Sequence, residues 1–274
     1  MSGFPSAGGA RATVYRLLDS AAAIIDGGGQ ACRYLAVGLL RLSDLREARQ
    51  AQFRHFDVSN NEVEQGLTPF EQHVYLRWLP PGGRVLLVGC GAGRDLIGLH
   101  RAGFLATGLE QAPDLVECGR KHLVRLGIQA NIELGDIESF QPADRFDAVV
   151  FAGNCYSNVH QSKIRISMLS RLASHLEADG GLIISYAGGA ERSRLPFRLM
   201  SLTARLARAD WRPEPGDSFT RDVRTSGFLD FFHTFLPGEV ARECIAAGLH
   251  VVAEGTGTGR AEYVIVRAAN DGSD

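Results

Sequence analysis

Lysine is nearly missing from this chain. Only Lys121 and Lys163 occur among the 29 basic residues, so the other 27 are Arg. A genome rich in G and C accounts for that bias without any functional demand. Net charge is also scarce: 29 basic against 31 acidic residues leave −2, which argues against a general electrostatic grip on nucleic acid or an anionic membrane. The five cysteines (Cys32, Cys90, Cys118, Cys155, Cys244) form no C-x-x-C pair, which argues against a zinc site or disulfide framework and suits a reducing cytoplasm. Long apolar runs are missing too; Leu35 to Leu40 is among the longest, and a glycine interrupts it. Without a charged segment leading into an apolar one near Met1, no signal peptide is expected. The composition, 45% apolar and 22% charged over 274 residues, suits one large globular domain or a domain with an appendage.

What is present divides at about residue 80. Residues 1–10 are rich in Gly, Ser, Ala and Pro, and a frayed terminus is expected there. Val14, Leu17, Leu18, Ala21 and Ile25 predict a helix over 11–25, broken at Asp26-Gly27-Gly28-Gly29. Leu35, Leu39, Leu42 and Leu45 predict a second helix, and Pro69 to Leu79 a third, before Pro80-Pro81-Gly82-Gly83. Residues 1–80 are therefore expected to be a helical cap or extension. Beyond them, strands (84–88, 104–109, 130–134, 146–151, 182–186) alternate with helices (96–102, 113–126, 164–176), which predicts βαβ units and a parallel sheet. Residues 188–236 interrupt the rhythm with eight Arg, outnumbering the acids, and a hairpin is expected over 219–235. A helix from Gly238 and an antiparallel strand pair, 249–254 and 263–267, close the core spanning 81–274.

Val88-Gly89-Cys90-Gly91-Ala92-Gly93-Arg94-Asp95 lies between the first strand and its helix, at the carboxyl edge where parallel sheets bind ligands. Glycines there let the backbone approach a cofactor closely. The dinucleotide fingerprint needs Gly where Arg94 stands, and no Lys-Ser/Thr follows to make a P-loop. Glu110 ends the second strand, where an acid can accept both hydroxyls of a ribose. Asp136-Ile137 follows the third strand, placed to cup an adenine, and Asn154 follows the fourth.

These motifs, with Phe146 to Val150, Leu176-Glu177-Ala178-Asp179-Gly180-Gly181 and Val240 to Leu249, resemble the class I S-adenosylmethionine-dependent methyltransferases. The resemblance covers roughly 84–187 and 237–267. It implies an α/β, doubly wound, seven-stranded sheet in the order 3-2-1-4-5-7-6, with strand 7 antiparallel. It implies S-adenosylmethionine as cofactor, held by Gly89, Cys90, Gly91, Gly93, Glu110, Gln111, Asp136, Ile137 and Asn154. One departure stands out: Leu87 occupies the position where the family has an acid for the methionine amino group. Gly66-Leu67-Thr68-Pro69-Phe70 faintly resembles the thiopurine methyltransferases, which would bring Phe70 or Tyr75 over the sulfonium; Thr68 as a helix cap with Pro69 behind it explains the same residues.

Methyl transfer demands in-line alignment, and a base only when the nucleophile must lose a proton. Tyr156 and His160 are the candidates after the fourth strand, as an active-site wall and a base respectively. Simple packing for Tyr156, and a helix-start or surface role for His160, are the alternatives. The helical cap over 1–80 and the insertion 188–236, as a substrate lid, are expected to cover the acceptor, with Phe53, Phe56, Tyr75, Tyr156, Phe197 and Trp211 forming an apolar pocket and Arg at its mouth. The Arg excess suits an anionic acceptor, with a solvated face as the alternative reading. A small-molecule acceptor is expected, with no nucleic acid, membrane or metal. The competing readings are an NAD-binding oxidoreductase and a non-catalytic, partner-binding relic that dimerises through its N-terminal helices.

Overall fold

Arg84-Val85-Leu86-Leu87-Val88 has apolar side chains on both faces, the pattern of a strand covered on both sides. In the computed structural model, which describes residues 27–52, 60–189, 194–221, 229–257, 259 and 261–268, it is the interior strand β1 (Arg84–Val88). Val85 and Leu87 point into one core layer, Leu86 and Val88 into the other. Parallel neighbours flank it: β2 (Leu105–Glu110) then β3 (Asn131–Leu134) on one side, β4 (Phe146–Phe151) then β5 (Leu176–Ala187) on the other. The hairpin of β8 (Leu249–Thr256) and β9 (Ala261–Ala268) pairs antiparallel onto β5. The order is β3-β2-β1-β4-β5-β9-β8, the one that the resemblance implied. Two extra strands, β6 (Asp217–Arg221) and β7 (Leu229–His233), form the expected hairpin as a separate sheet.

Helices α4 (Pro69–Trp78), α5 (Arg94–Arg101) and α6 (Pro113–Arg125) supply the first layer, and α7 (Ser162–Ala173) and α9 (Glu239–Ala246) the second. Thr68 caps α4 in a full capping box: its hydroxyl accepts from Glu71 N–H, and the Glu71 carboxylate accepts from Thr68 N–H.

The first 80 residues and the insertion hold the corrections. The predicted helix over 11–25 lies outside the described residues. Gly27, Gly28 and Gly29, read as a break, are helical and belong to α1, which is described over 27–37. The single helix expected through Leu35 and Leu45 is divided: α2 (Leu42–Gln52) starts after a turn at Gly38, and α3 (Asn60–Gln65) precedes α4. Gly38 is there because a Cβ would lie 1.9 Å from Thr203 Oγ1. Thr203 belongs to α8 (Leu195–Leu206), a helix of the insertion that the Arg density concealed. Tyr34, Val37 and Leu45 pack with Met200, Trp211, Phe219 and Phe231 in a third core, and Trp211 Nε1 donates to Leu40 O at 2.9 Å. The face of the N-terminal segment that carries Tyr34, Val37 and Leu45 is thus covered by its own chain.

A buried charged cluster joins the insertion to the domain. Arg165 on α7, with no exposed surface, donates to Glu243 of α9 and to Glu214 before β6, and Glu243 also accepts from Tyr156 Oη. His233 of β7 lies 2.7 Å from Asp217 and 3.3 Å from Glu239.

Candidate active site

A cavity of about 570 Å³ opens at the carboxyl ends of β1, β2 and β4, a volume ordinary for a small-molecule site. This edge of an open parallel sheet, where the chain winds to either side, is where such folds bind ligands. The loop after β1 forms its floor. Gly89, Gly91 and Gly93 have φ of 71°, 54° and 94°, which disfavour side chains. Two of the three carry a further reason. A Cβ on Gly89 would lie 2.8 Å from Cys155 Cβ, so this glycine permits loop-on-loop packing. A Cβ on Gly91 would meet no protein atom within 4 Å: that glycine borders open space, as a ligand cradle requires.

Glu110 lines the cavity, and its carboxylate is already engaged. It accepts Gly91 N–H at 3.0 Å on one oxygen, and Gln111 N–H at 2.8 Å and Ala112 N–H at 2.9 Å on the other. Burial raises its pKa, and the three amides oppose that rise. The acid at the end of β2 therefore ties the loop after β1 to the loop after β2 as well as facing the cavity.

Of the residues expected to hold a cofactor, Gly89, Cys90, Gly91, Glu110, Gln111 and Ile137 line the cavity. Gly93 sits behind them as the left-handed N-cap of α5. Asn154 also has left-handed backbone (φ 61°) and turns the chain between two lining residues, Gly153 and Cys155, while its Oδ1 accepts from Ser185. Asp136 is bound by Arg49 at 2.7 Å. Arg49 comes from α2, is almost fully buried, lines the cavity, and also pairs with Glu138. A side chain from the N-terminal segment thus closes the wall beside Ile137, and Asp136 is that residue's anchor.

The remaining expectations require correction. Phe70 packs on Tyr263, ring centroids 5.7 Å apart, rather than lining the cavity, so the helix-cap reading of Thr68-Pro69 is the one realised. Tyr75 is buried in the first core layer, where burial and then Asp95 and Glu71 raise its pKa. Tyr156 is buried in the second layer between Phe151 and Phe235, its hydroxyl donating to Glu243. His160 lies 3.8 Å from Phe231, ring to ring, and burial followed by the Arg49 charge lowers its pKa to about 3. Neither Tyr156 nor His160 lines the cavity, and neither is placed to act as wall or base. Trp211 belongs to the third core, Phe197 does not line the cavity, and Phe53 and Phe56 lie outside the described residues. Among the described residues, the insertion contributes nothing to the cavity lining.

Sequence reasoning missed Arg49, Asp95, Cys155 and Asn158, all of which line the cavity. Asp95 was within the quoted loop but carried no assigned role. For Arg49 no local signal existed, because its partners are 87 and 89 residues away. Among the described residues, three buried side-chain atoms of cavity-lining residues have no hydrogen-bond partner: Arg49 Nε, Asn158 Oδ1 and Asp95 Oδ2. Such orphans are uncommon in folded proteins, and these three belong to the wall of one cavity.

Residues 85–180 match a family model described as "Methyltransferase domain". A ubiquinone biosynthesis O-methyltransferase of Xanthomonas axonopodis pv. citri is 31% identical over 116 residues, 42% of this chain and 47% of that protein. Its counterpart in Xylella fastidiosa is 33% identical over 107 residues, 38% of this chain and 42% of the other. The chain thus spans about half the length, or less, of the curated relatives it matches. Among solved structures, a SAM-dependent methyltransferase from Methanosarcina mazei superposes with TM-score 0.59 at 17% identity, covering 74% of this chain and 98% of that one. The glycopeptide N-methyltransferase MtfA, complexed with S-adenosyl-L-homocysteine, gives TM-score 0.56 at 19% identity over 77% of this chain and 91% of its own. Residues 85–180 thus match the model of a methyltransferase domain, and the sheet around them has the class I fold of these solved S-adenosylmethionine-dependent methyltransferases.

Proposed function

We propose that this protein is an enzyme that transfers a methyl group from S-adenosylmethionine to a small-molecule acceptor. The observation that carries the reading is the cavity at the ends of β1, β2 and β4. A glycine whose side-chain direction is open, a buried acid on β2 and three residues that each carry an unpartnered buried polar atom line it. When bound, S-adenosylmethionine supplies an electrophilic methyl on a sulfonium. Gly89, Cys90 and Gly91 give the backbone bed for its methionine half. Glu110 would accept the ribose hydroxyls, and Ile137 and Leu115, with Gln111 beside them, would enclose the base.

The chain's contribution to the reaction is alignment and exclusion of water, the chief demands of an in-line displacement. Phe151, Val159 and Val63 line the cavity with apolar surface, so the acceptor meets a dry wall. Tyr156, held in the second layer, and His160, held against Phe231 of the third core, are given no proton transfer in this reading. The O-methyltransferase relatives make an oxygen acceptor the first class to screen. Calorimetric titration with S-adenosylhomocysteine tests the reading, with NAD as control: micromolar binding of the former alone is expected. Binding of NAD alone would overturn it in favour of an oxidoreductase.

A further inference from the structure

Leu87, at the position where the resemblance places an acid for the methionine amino group, is fully buried among the apolar side chains of the first layer. It has no chemistry for a cation. Across the same loop stands Asp95, the second residue of α5, which is 4% exposed and lines the cavity. Its Oδ1 meets Arg94 at 2.6 Å, while Oδ2 is buried with no partner among the described residues. Arg94 is shared: it also meets Glu71 at 2.5 Å, and the other Glu71 oxygen is used by the α4 capping box. Two carboxylates therefore divide one guanidinium, which leaves this corner of the cavity one positive charge short. A buried carboxylate with an empty oxygen is costly unless a partner arrives.

We propose that Asp95 binds the protonated α-amino group of the cofactor's methionine half, replacing the acid absent at position 87. The inference rests on the S-adenosylmethionine reading above. An ammonium at Oδ2 completes the charge balance of the Glu71–Arg94–Asp95 cluster and satisfies the orphaned oxygen. The titratable and charged groups facing Asp95 are Glu71 and Tyr75 from α4, Arg94 on α5, Cys90 in the loop and Cys155 after β4. Burial and then Glu71 outweigh Arg94 and bring the free carboxyl to about 7. An incoming ammonium favours the ionised form, so affinity rises with pH through neutrality.

Calorimetry on the full chain, with three ligands, tests this. S-adenosylhomocysteine carries the amino group, its desamino analogue lacks it, and 5′-methylthioadenosine lacks the whole amino-acid arm. For Asp95→Asn, roughly a tenfold or greater loss of S-adenosylhomocysteine affinity is expected, with methylthioadenosine unchanged. The unsubstituted protein should prefer S-adenosylhomocysteine over the desamino analogue by a similar factor, increasingly between pH 6 and 8. That second measurement needs no variant and stands if Asp95→Asn does not fold. Equal weakening of all three ligands, no weakening, or no preference for the amino-bearing ligand overturns the assignment to Asp95 while leaving the cofactor reading intact. Failure of the unsubstituted protein to bind any of the three overturns both.

Discussion

Glu110 offers the sharpest test, because sequence and structure give it different duties. As a ribose acceptor alone, it would matter only to ligand. In the fold its carboxylate accepts three backbone N–H groups, from Gly91, Gln111 and Ala112. Glu110→Ala strands all three. Ala112 is fully buried, so its N–H cannot turn to water, at a cost of about 1–3 kcal/mol. Gly91 and Gln111 are half-buried, and losing their bonds to a charged acceptor costs roughly 1 kcal/mol each. Relief of the desolvated carboxylate offsets part of this, leaving a net loss of about 2–4 kcal/mol before any ligand is added. Glu110→Gln keeps one oxygen for the Gln111 and Ala112 amides but turns a donor on Gly91, so it should lose about 1–2 kcal/mol. Urea unfolding without ligand, read as a midpoint shift at constant slope, should rank the native chain above Gln and Gln above Ala. Titration with S-adenosylhomocysteine should fall in the same order. If Glu110→Ala unfolds at the native midpoint, the hydrogen bonds to the loop carry no stability and the dual role is refuted.

Three further outcomes are expected. Gly91→Ala should cost the fold only about 1 kcal/mol for its positive φ, while weakening S-adenosylhomocysteine at least tenfold. Gly89→Ala, which drives a Cβ to 2.8 Å from Cys155, should lower the melting temperature more clearly than that. Arg165→Met should destabilise by about 3–5 kcal/mol, because Glu243 and Glu214 stay behind uncompensated in the interior; thermal melting reads it. The Asp217 and Glu239 carboxylates outweigh the burial penalty on His233 and raise its pKa to about 9. Since this exceeds the ordinary histidine value, its contribution is complete below about pH 6.5 and lost as pH rises to about 9. Urea midpoints over pH 6–9.5 should decline for the native chain and flatten for His233→Gln.

Local pattern determined most of the core. Alternation of apolar runs with Gly-punctuated helices locates β1 to β5, because a strand covered on both faces is apolar at every position. The loop Gly89 to Gly93 and Glu110 were legible for a similar reason: backbone turns and strand ends follow directly from residue type. Tertiary structure decided the rest. Tyr156 and His160 follow β4 just as cavity residues would, and only packing shows that Glu243 holds one and Phe231 lies against the other. Arg49 reaches the cavity because α1, α2 and the insertion share a hydrophobic core, and nothing near position 49 encodes its pairing with Asp136. The partners of Asp95 show the same limit. Glu71 lies 23 residues before Arg94, and the charge left over between these groups exists only once α4 is laid against α5. Short-range pattern specifies which surface each element hides. It does not specify which buried polar atoms are left without a partner, because that depends on where distant elements come to rest.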